Sequence, residues 1–239
     1  MKRLCALALA LAGLMIGPGS PAAVGQNGLA PQFSIGPDSP DINTLTTLDA
    51  SASRASGSSI TRYEWDLDDD GTYEVQTESP TVTHLFDESG PQAVTLRITD
   101  DQDRSATMTQ SVEIASAPVR VRRSIETPLE GDRVPAGSAI EVSVTIHVNE
   151  AVSGLGLDED PPDGWRIQPS ENDGAAYKGS EFQWLWFSRM QPGETRTIRY
   201  SATTSGSSAN QTVELRGTVS SRSPAFEITI PGDVRVRVI

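Results

Sequence analysis

The segment RYEWDLDDDGTYE, residues 62–74, combines closely spaced carboxylates with aromatic side chains. Asp66, Asp68 and Asp70 alternate along it, and Gly71 follows directly. This spacing imitates the opening of an EF-hand calcium loop, but that loop needs a bidentate Glu at its twelfth position. Counting from Asp66 places Thr77 there. Two hypotheses follow: a calcium site at the three aspartates, or a turn whose carboxylates are only solvated.

Catalysis by this acidic segment is the third possibility. A glycosidase needs two carboxyl groups held across a substrate cleft, and neighbouring residues on a tight turn do not provide one. The chain has two histidines, His84 and His147, which lie in separate parts of the sequence, and it has no G-x-S-x-G or H-E-x-x-H motif. We therefore expect a non-enzymatic protein.

A second candidate site is the aromatic segment FQWLWF, residues 182–187. Trp184 and Trp186 are two residues apart, so on a strand they project from the same face and could form an aromatic strip that stacks on sugars. Leu185 and Phe187 make the opposite face apolar too, which is typical of a strand buried on both faces. A carbohydrate-binding strip and a core or domain-interface strand both fit this pattern.

The surrounding sequence alternates with period two, which predicts half-buried strands. The clearest example is residues 140–148, where Ile140, Val142, Val144, Ile146 and Val148 share one face. Clusters of Gly, Pro, Ser, Asp and Asn interrupt the chain about every ten residues. The pattern predicts an all-β protein made of antiparallel sandwiches.

The N-terminus predicts export. Lys2 and Arg3 precede a short apolar run and a small-residue segment, the pattern of a cleaved signal peptide. Cleavage after Gly25 and cleavage after Ala22 both fit. Cys5, the only cysteine, lies in this segment. We expect a secreted protein, located outside the cell, in the periplasm or at the cell surface, without membrane insertion after cleavage.

The formal net charge of −13 disfavours nucleic acid and anionic membranes as partners. An extracellular protein or polysaccharide remains as the expected partner. The oligomeric state is left open by the sequence.

Several motifs together resemble PKD (polycystic kidney disease) domains over residues 32–115. They are TLDASAS (47–53), ITRYEWDLDDDG (60–71), HLF (84–86), Gly90 and VTLRITDD (94–101). Asp69 stands where one family variant has a glycine. The resemblance implies an immunoglobulin-like sandwich that functions in extracellular binding, and calcium binding through loop carboxylates as in some members.

Within this fold, Tyr63, Trp65 and Leu67 should share one face of a strand, with Trp65 in the core. The turn Asp68 to Gly71 should follow, with Gly71 at positive φ.

The sequence thus predicts two tandem immunoglobulin-like β-sandwiches after an N-terminal signal peptide. The expected divisions are a signal peptide (1–25), a disordered leader (26–31), a PKD-like sandwich (32–115), a linker (116–118) and a second sandwich (119–239). The expected function is non-catalytic: extracellular protein or glycan binding, adhesion or a spacer. A carbohydrate-binding module and an accessory component of a secreted hydrolase system are the alternatives. No cofactor is expected unless calcium binds.

Overall fold

The computed structural model describes residues 28–232 and 235–239. Its regular structure is almost entirely β-strand, with a single 3-10 turn at Gly206–Ser208 in the described part. The prediction of an all-β chain with two tandem sandwiches is confirmed. The predicted signal peptide, residues 1–25, lies outside the described residues. In the described ranges there is no helix with the length and hydropathy needed to cross a membrane.

The first sandwich has a three-stranded sheet of order β2-β3-β7, a four-stranded sheet of order β6-β5-β8-β9, and a short β1-β4 pair. All the pairings in these sheets are antiparallel. The strands are β1 (Leu29–Ala30), β2 (Ser34–Gly36), β3 (Thr46–Asp49), β4 (Arg54–Ala55), β5 (Ile60–Asp66), β6 (Val75–Thr77), β7 (Thr81–His84), β8 (Gly90–Asp100) and β9 (Ser105–Ile114).

Trp65 lies at the centre of the first core and is fully buried. The Phe33 ring meets it edge-on, with the ring centroids 5.2 Å apart. Leu48 of one sheet and Leu96 of the other are also fully buried in this cluster. The prediction that Trp65 fills the interior is therefore correct, because the alternation along β5 directs it inward.

The expected disordered leader is wrong for residues 28–31. Leu29 and Ala30 form β1, pair with Ala55 and Arg54, and are buried. A two-residue strand is too short to show periodicity, so its burial depends on a partner that only the fold supplies. Residues 26 and 27 lie outside the described ranges.

The second sandwich packs a four-stranded sheet of order β10-β12-β17-β14 against a five-stranded sheet of order β15-β16-β13-β19-β20. A third sheet, β11-β21-β18, includes the parallel β11-β21 pair. The strands are β10 (Val119–Glu126), β11 (Arg133–Val134), β12 (Ala139–Val148), β13 (Leu155–Asp160), β14 (Arg166–Glu171), β15 (Ala176–Lys178), β16 (Gln183–Trp186), β17 (Thr195–Thr203), β18 (Gln211–Glu214), β19 (Arg216–Arg222), β20 (Ala225–Thr229) and β21 (Arg235–Val238).

A buried ion pair bridges the two main sheets of the second sandwich. Arg123 of β10 and Glu159 of β13 are only 3% and 5% exposed, and Arg123 Nη2 lies 2.6 Å from Glu159 Oε2. Arg123 Nη1 donates to the Leu215 carbonyl oxygen at 2.8 Å. Burial raises the pKa of Glu159 despite the neighbouring guanidinium. Breaking such a pair leaves an uncompensated buried charge, so both partners are needed.

Gly217 provides the space for this ion pair. It lies opposite Glu159 in the β13-β19 register. A Cβ at position 217 would lie 2.8 Å from both Arg123 Nη2 and Glu159 Oε2, and 2.7 Å from the Asp158 carbonyl oxygen. Since one of these atoms belongs to the backbone, the neighbours cannot simply rotate away.

We expect Gly217→Ala to reduce the free energy of unfolding by about 1–3 kcal/mol, the usual cost of overpacking. Urea denaturation followed by Trp fluorescence measures it. Gly206→Ala is the matched control, because its Cβ would have no heavy atom within 4 Å; it should change stability by less than about 0.5 kcal/mol. Equal stability of the two variants would contradict the close packing at Gly217.

Candidate functional site

The acidic segment forms a loop between β5 and β6. Asp66 is the last residue of β5 and is 2% exposed, whereas Asp68 and Asp70 are exposed in the loop. Asp69 and Gly71 have φ values of 58° and 91°. The predicted turn is therefore present, and Asp69 adopts the left-handed conformation at the position where the PKD variant has a glycine.

Four carboxylates converge in this loop. One oxygen from each of Asp66, Asp68, Asp70 and Glu74 lies within 4.8 Å of the other three. The structure thus brings the three predicted residues together and adds Glu74. The signal for Glu74 was present in the sequence, because it stands ninth when Asp66 is counted as first, and the ninth position also contributes in an EF-hand loop.

Hydrogen bonds from loop amides fix these carboxylates. The Gly71 N–H donates to Asp66 Oδ2 at 3.0 Å, and the Thr72 N–H donates to Asp70 Oδ1 at 2.7 Å. The Leu67 N–H donates to Glu74 Oε2 at 2.7 Å. The loop is therefore shaped before any ligand arrives.

Two further contacts hold the loop against β8. Asp69, the remaining aspartate, accepts a hydrogen bond from Thr95 Oγ1 at 2.9 Å. The guanidinium of Arg97 lies 3.9 Å from the centroid of the Tyr73 ring, a cation–π contact. Asp69 is thereby engaged with β8 and is not one of the four converging groups.

Asp66 Oδ1 is buried and has no hydrogen-bond partner among the described residues. A buried acceptor without a partner is costly, and buried carboxylates are normally paired or bound to a metal. Because Asp66 Oδ1 is shielded from solvent, bulk water does not readily supply the missing hydrogen bond. It indicates that the cluster is suited to a cation.

The donor set fits calcium. Ca²⁺ takes six to eight oxygen ligands and binds carboxylates and backbone carbonyls. The four residues occupy loop positions one, three, five and nine, and Gly71 occupies the sixth, where the EF-hand requires glycine. Thr77, at the twelfth position, lies in β6 opposite Tyr63. An EF-hand loop joins two helices, whereas this loop joins strands β5 and β6. The loop therefore resembles an EF-hand only in the spacing of its acidic residues and glycine. When bound, calcium would neutralise the mutual repulsion of the carboxylates.

The predicted aromatic platform at Trp184 and Trp186 is wrong. Both side chains lie in the second core, with 0% and 2% exposure. Trp184 Nε1 donates to Asn172 Oδ1 at 2.7 Å, and Trp186 Nε1 donates to the Asp173 carbonyl oxygen at 2.9 Å. The face of β16 that carries the tryptophans packs inward, so neither ring is available to a sugar. The exposed ring of the segment is Phe187, at 82%.

The most strongly paired acids of the first sandwich have structural partners. Glu64 receives two hydrogen bonds from Arg97, at 2.7 and 2.8 Å, and these hold its pKa below the usual value. Asp100 is 1% exposed, and burial acts to raise its pKa. Hydrogen bonds from Arg104 and Ser58 outweigh that burial and hold the pKa of Asp100 well below its usual value.

Comparison with known families identifies the first sandwich. Residues 29–115 match the family model described as PKD domain. This segment is a PKD domain, as the sequence motifs predicted. The second sandwich lies outside the matched residues. A comparison with curated proteins found no match.

Several solved structures resemble the chain. A carbohydrate-binding module of the β-sandwich superfamily is 17% identical and has a TM-score of 0.34, with 87% of this chain and 95% of that chain covered. A protein from Corynebacterium diphtheriae described as membrane-anchored is 11% identical, with a TM-score of 0.41 and coverage of 86% and 58%. The α-2-macroglobulin of E. coli is 10% identical, with a TM-score of 0.40 and coverage of 90% and 17%.

We expect calcium to bind the loop with a dissociation constant of about 10⁻⁴–10⁻³ M, at the weak end of the range for EF-hand-type loops. At ten times that concentration it should add about 1.4 kcal/mol to the free energy of unfolding. Isothermal titration calorimetry and thermal melting measure the two effects. Asp66→Asn and Glu74→Gln should weaken binding, whereas Glu78→Gln, outside the cluster, is the control. Absence of heat and of a melting shift at about 10 mM calcium would refute the site.

Acid should weaken the first sandwich through Asp100. Because its folded-state pKa is depressed, its contribution to stability is complete above the unfolded value of about 3.9 and is lost as the pH falls. The stability difference between the wild type and Asp100→Asn should therefore be largest at neutral pH and shrink below about pH 4. Urea denaturation across the pH range measures it, with Asp101→Asn, at the exposed neighbour, as the control. A difference independent of pH would contradict the assignment.

Proposed function

We propose that the chain, whose residues 29–115 form a PKD domain, is a secreted, non-catalytic spacer and binding module of fixed shape. A PKD domain followed by a second sandwich fits a non-catalytic binding or spacer role. The finer proposal is that the two sandwiches act as one rigid body that presents its surfaces to an extracellular partner. The observation that carries it is the way the first sandwich closes the edge of β10.

Strand β10 is at one edge of its sheet, so one side of its backbone lacks a neighbouring strand. Asn43 of the first sandwich provides the missing partners. Its Nδ2 donates to the Val119 carbonyl oxygen, and its Oδ1 accepts from the Val121 N–H, both at 2.8 Å. Asn43 is 7% exposed, so water does not replace these bonds readily. A single side chain thus joins the two sandwiches as a strand would.

Arginines of β10 extend this contact. Arg122 donates to the carbonyl oxygens of Ile42 and Phe86, at 2.8 and 2.7 Å. Arg122 and Arg120 both reach Asp87 Oδ1, at 3.1 and 3.0 Å. Because these bonds end on two different loops of the first sandwich, they resist rotation about the connecting segment.

The connecting segment itself is held by the second sandwich. Ala117 is buried as part of the first core, and its carbonyl oxygen accepts a hydrogen bond from Asn149 Nδ2 at 2.9 Å. The backbone N–H groups of Asn149 and Glu150 donate to the Pro118 carbonyl oxygen. A linker fixed in this way behaves as part of the interface rather than as a hinge.

Calcium would serve this role by stiffening the β5-β6 loop. An acidic chain exported into a calcium-containing medium would gain an ordered loop, and its negative charge favours a partner with basic groups. The proposed partner is an extracellular protein.

The rigid arrangement can be tested by removing Asn43. Asn43→Ala leaves the Val119 carbonyl and the Val121 N–H without partners, which should cost about 1–3 kcal/mol in the free energy of unfolding. Small-angle X-ray scattering should at the same time show a broader distribution of intramolecular distances. Gln102→Ala is the control, since this exposed amide makes only a 3.5 Å bond to a carbonyl oxygen. An unchanged scattering profile for Asn43→Ala would refute the proposed role of the junction.

A further inference from the structure

The first sandwich has a long edge strand. Strand β9 has ten residues and is the last strand of the order β6-β5-β8-β9, so within the described sheets it pairs with β8 alone. The pairing runs from Thr99 opposite Ser105 to Gly90 opposite Ile114 without a register shift. One side of the β9 backbone therefore lacks a neighbouring strand over a regular stretch.

The register shows which backbone groups of β9 point away from β8. In the turn between the two strands, the Asp100 N–H donates to the Arg104 carbonyl oxygen. Because hydrogen-bonded and non-hydrogen-bonded pairs alternate in an antiparallel ladder, Ala106 and every second residue after it bond to β8. Pro91, which has no N–H, faces Glu113 in a non-hydrogen-bonded pair, as this alternation requires. The residues whose N–H and C=O groups point to the open side are therefore Thr107, Thr109, Ser111 and Glu113.

These outward groups are available to another strand. In the part of the chain that the structure describes, no backbone hydrogen bond reaches the main chain of Thr107, Thr109 or Ser111 from the open side. The side chains of these three residues are exposed. The open stretch ends just beyond β9, where the Ala115 N–H donates to the Pro40 carbonyl oxygen.

Strand β9 also lacks the features that protect the other sheet edges. Strand β10 is covered by the first sandwich through Asn43, and β14 contains Pro169 at a register shift. The remaining edge strands, β1, β2, β4, β6, β7, β11, β15, β18 and β20, have five residues or fewer. Residues 105–112 of β9 include no charged residue and no proline. Charges, prolines, bulges and short lengths normally prevent an edge from pairing with another chain.

We propose that β9 pairs with β9 of a second copy of this chain, antiparallel and about a two-fold axis at Thr109. This register sets Thr109 opposite Thr109 of the other copy and Thr107 opposite Ser111, so that the outward N–H and C=O groups bond in both directions. The paired stretch is uncharged, so two copies with a net charge of −13 meet there with least repulsion, whereas a basic partner would gain nothing from it. This inference goes beyond the proposed binding role and does not depend on the junction at Asn43.

The association should be weak, because one strand edge buries less surface than the roughly 1,200 Å² of a stable interface. We expect a dissociation constant of about 10⁻⁵–10⁻³ M, which sedimentation equilibrium measures. Association should be stronger at about 0.5 M than at about 0.05 M sodium chloride, because salt screens the repulsion between two acidic copies.

Amide hydrogen exchange of the ¹⁵N-labelled protein locates the contact. Between about 20 μM and 1 mM protein, exchange of the outward amides of Thr107, Thr109 and Ser111 should slow by about two- to six-fold, as the fraction of monomer falls. The amides of Met108 and Gln110 bond to β8 in the monomer, so their exchange should not depend on concentration in this way.

A charge at the axis provides a second test. Thr109→Lys places two lysines opposite each other across the axis and should abolish association. Thr229→Lys, at an exposed position of β20, is the matched control, because it changes the net charge equally and should leave association as in the wild type.

The proposal is overturned if the wild type stays monomeric at about 1 mM protein and 0.5 M salt, or if its outward amides gain no protection with concentration. It is also overturned if Thr109→Lys associates as strongly as Thr229→Lys. Hydrogen exchange is measured on the wild type, so this result does not require a variant to fold. The scattering of Asn43→Ala, recorded on the dilute monomer, tests the junction independently, so the two proposals fail separately.

Discussion

The edge of β10 is the constraint on which the arrangement of the two sandwiches depends. An edge strand presents N–H and C=O groups that must be bonded, covered or left in water. Here they are covered by the first sandwich, so Asn43 has to bond them because water is excluded. The relative orientation of the two sandwiches then follows from hydrogen-bond geometry rather than from the length of the connecting segment.

The distribution of charge follows a similar logic. The buried carboxylates of Glu64, Asp100 and Glu159 each have an arginine partner within the chain. The cluster around Asp66 is different, because the groups that bond its carboxylates are loop amides and not cationic side chains. Carboxylates paired with arginine account for stability, whereas carboxylates without such partners mark the places where an external cation can act. The carboxylate cluster of Asp66, Asp68, Asp70 and Glu74 is such a place.

Much of the fold could be predicted from the sequence, because period-two alternation directly reports which face of a strand is buried. This holds for Trp65 and for the valines and isoleucines of β12. The same alternation places Glu159 in line with Leu155 and Leu157, but only the fold shows that Arg123 lies opposite. Pairing across sheets is a tertiary property and leaves no local pattern.

The candidate sites show the same limit. The spacing of Asp66, Asp68 and Asp70 predicted a cluster that the structure brings together. Glu74 was not predicted because the bidentate Glu of an EF-hand loop stands at the twelfth position, whereas Glu74 stands at the ninth. The tryptophans of FQWLWF share a face as predicted, but alternation cannot distinguish a face that meets the core from one that meets a ligand. Asn172 and Asp173 accept the hydrogen bonds of the two indoles and stand 12 and 13 residues before the tryptophans that they bond, so the sequence of β16 does not indicate them.

Residual dipolar couplings of the two sandwiches, measured in one alignment medium, test the central claim most directly. If the junction at Asn43 holds the sandwiches in one orientation, a single alignment tensor will fit the couplings of residues on both sides of Pro118. Two tensors that differ in magnitude or direction would show independent motion, and the account of a rigid module would then be wrong.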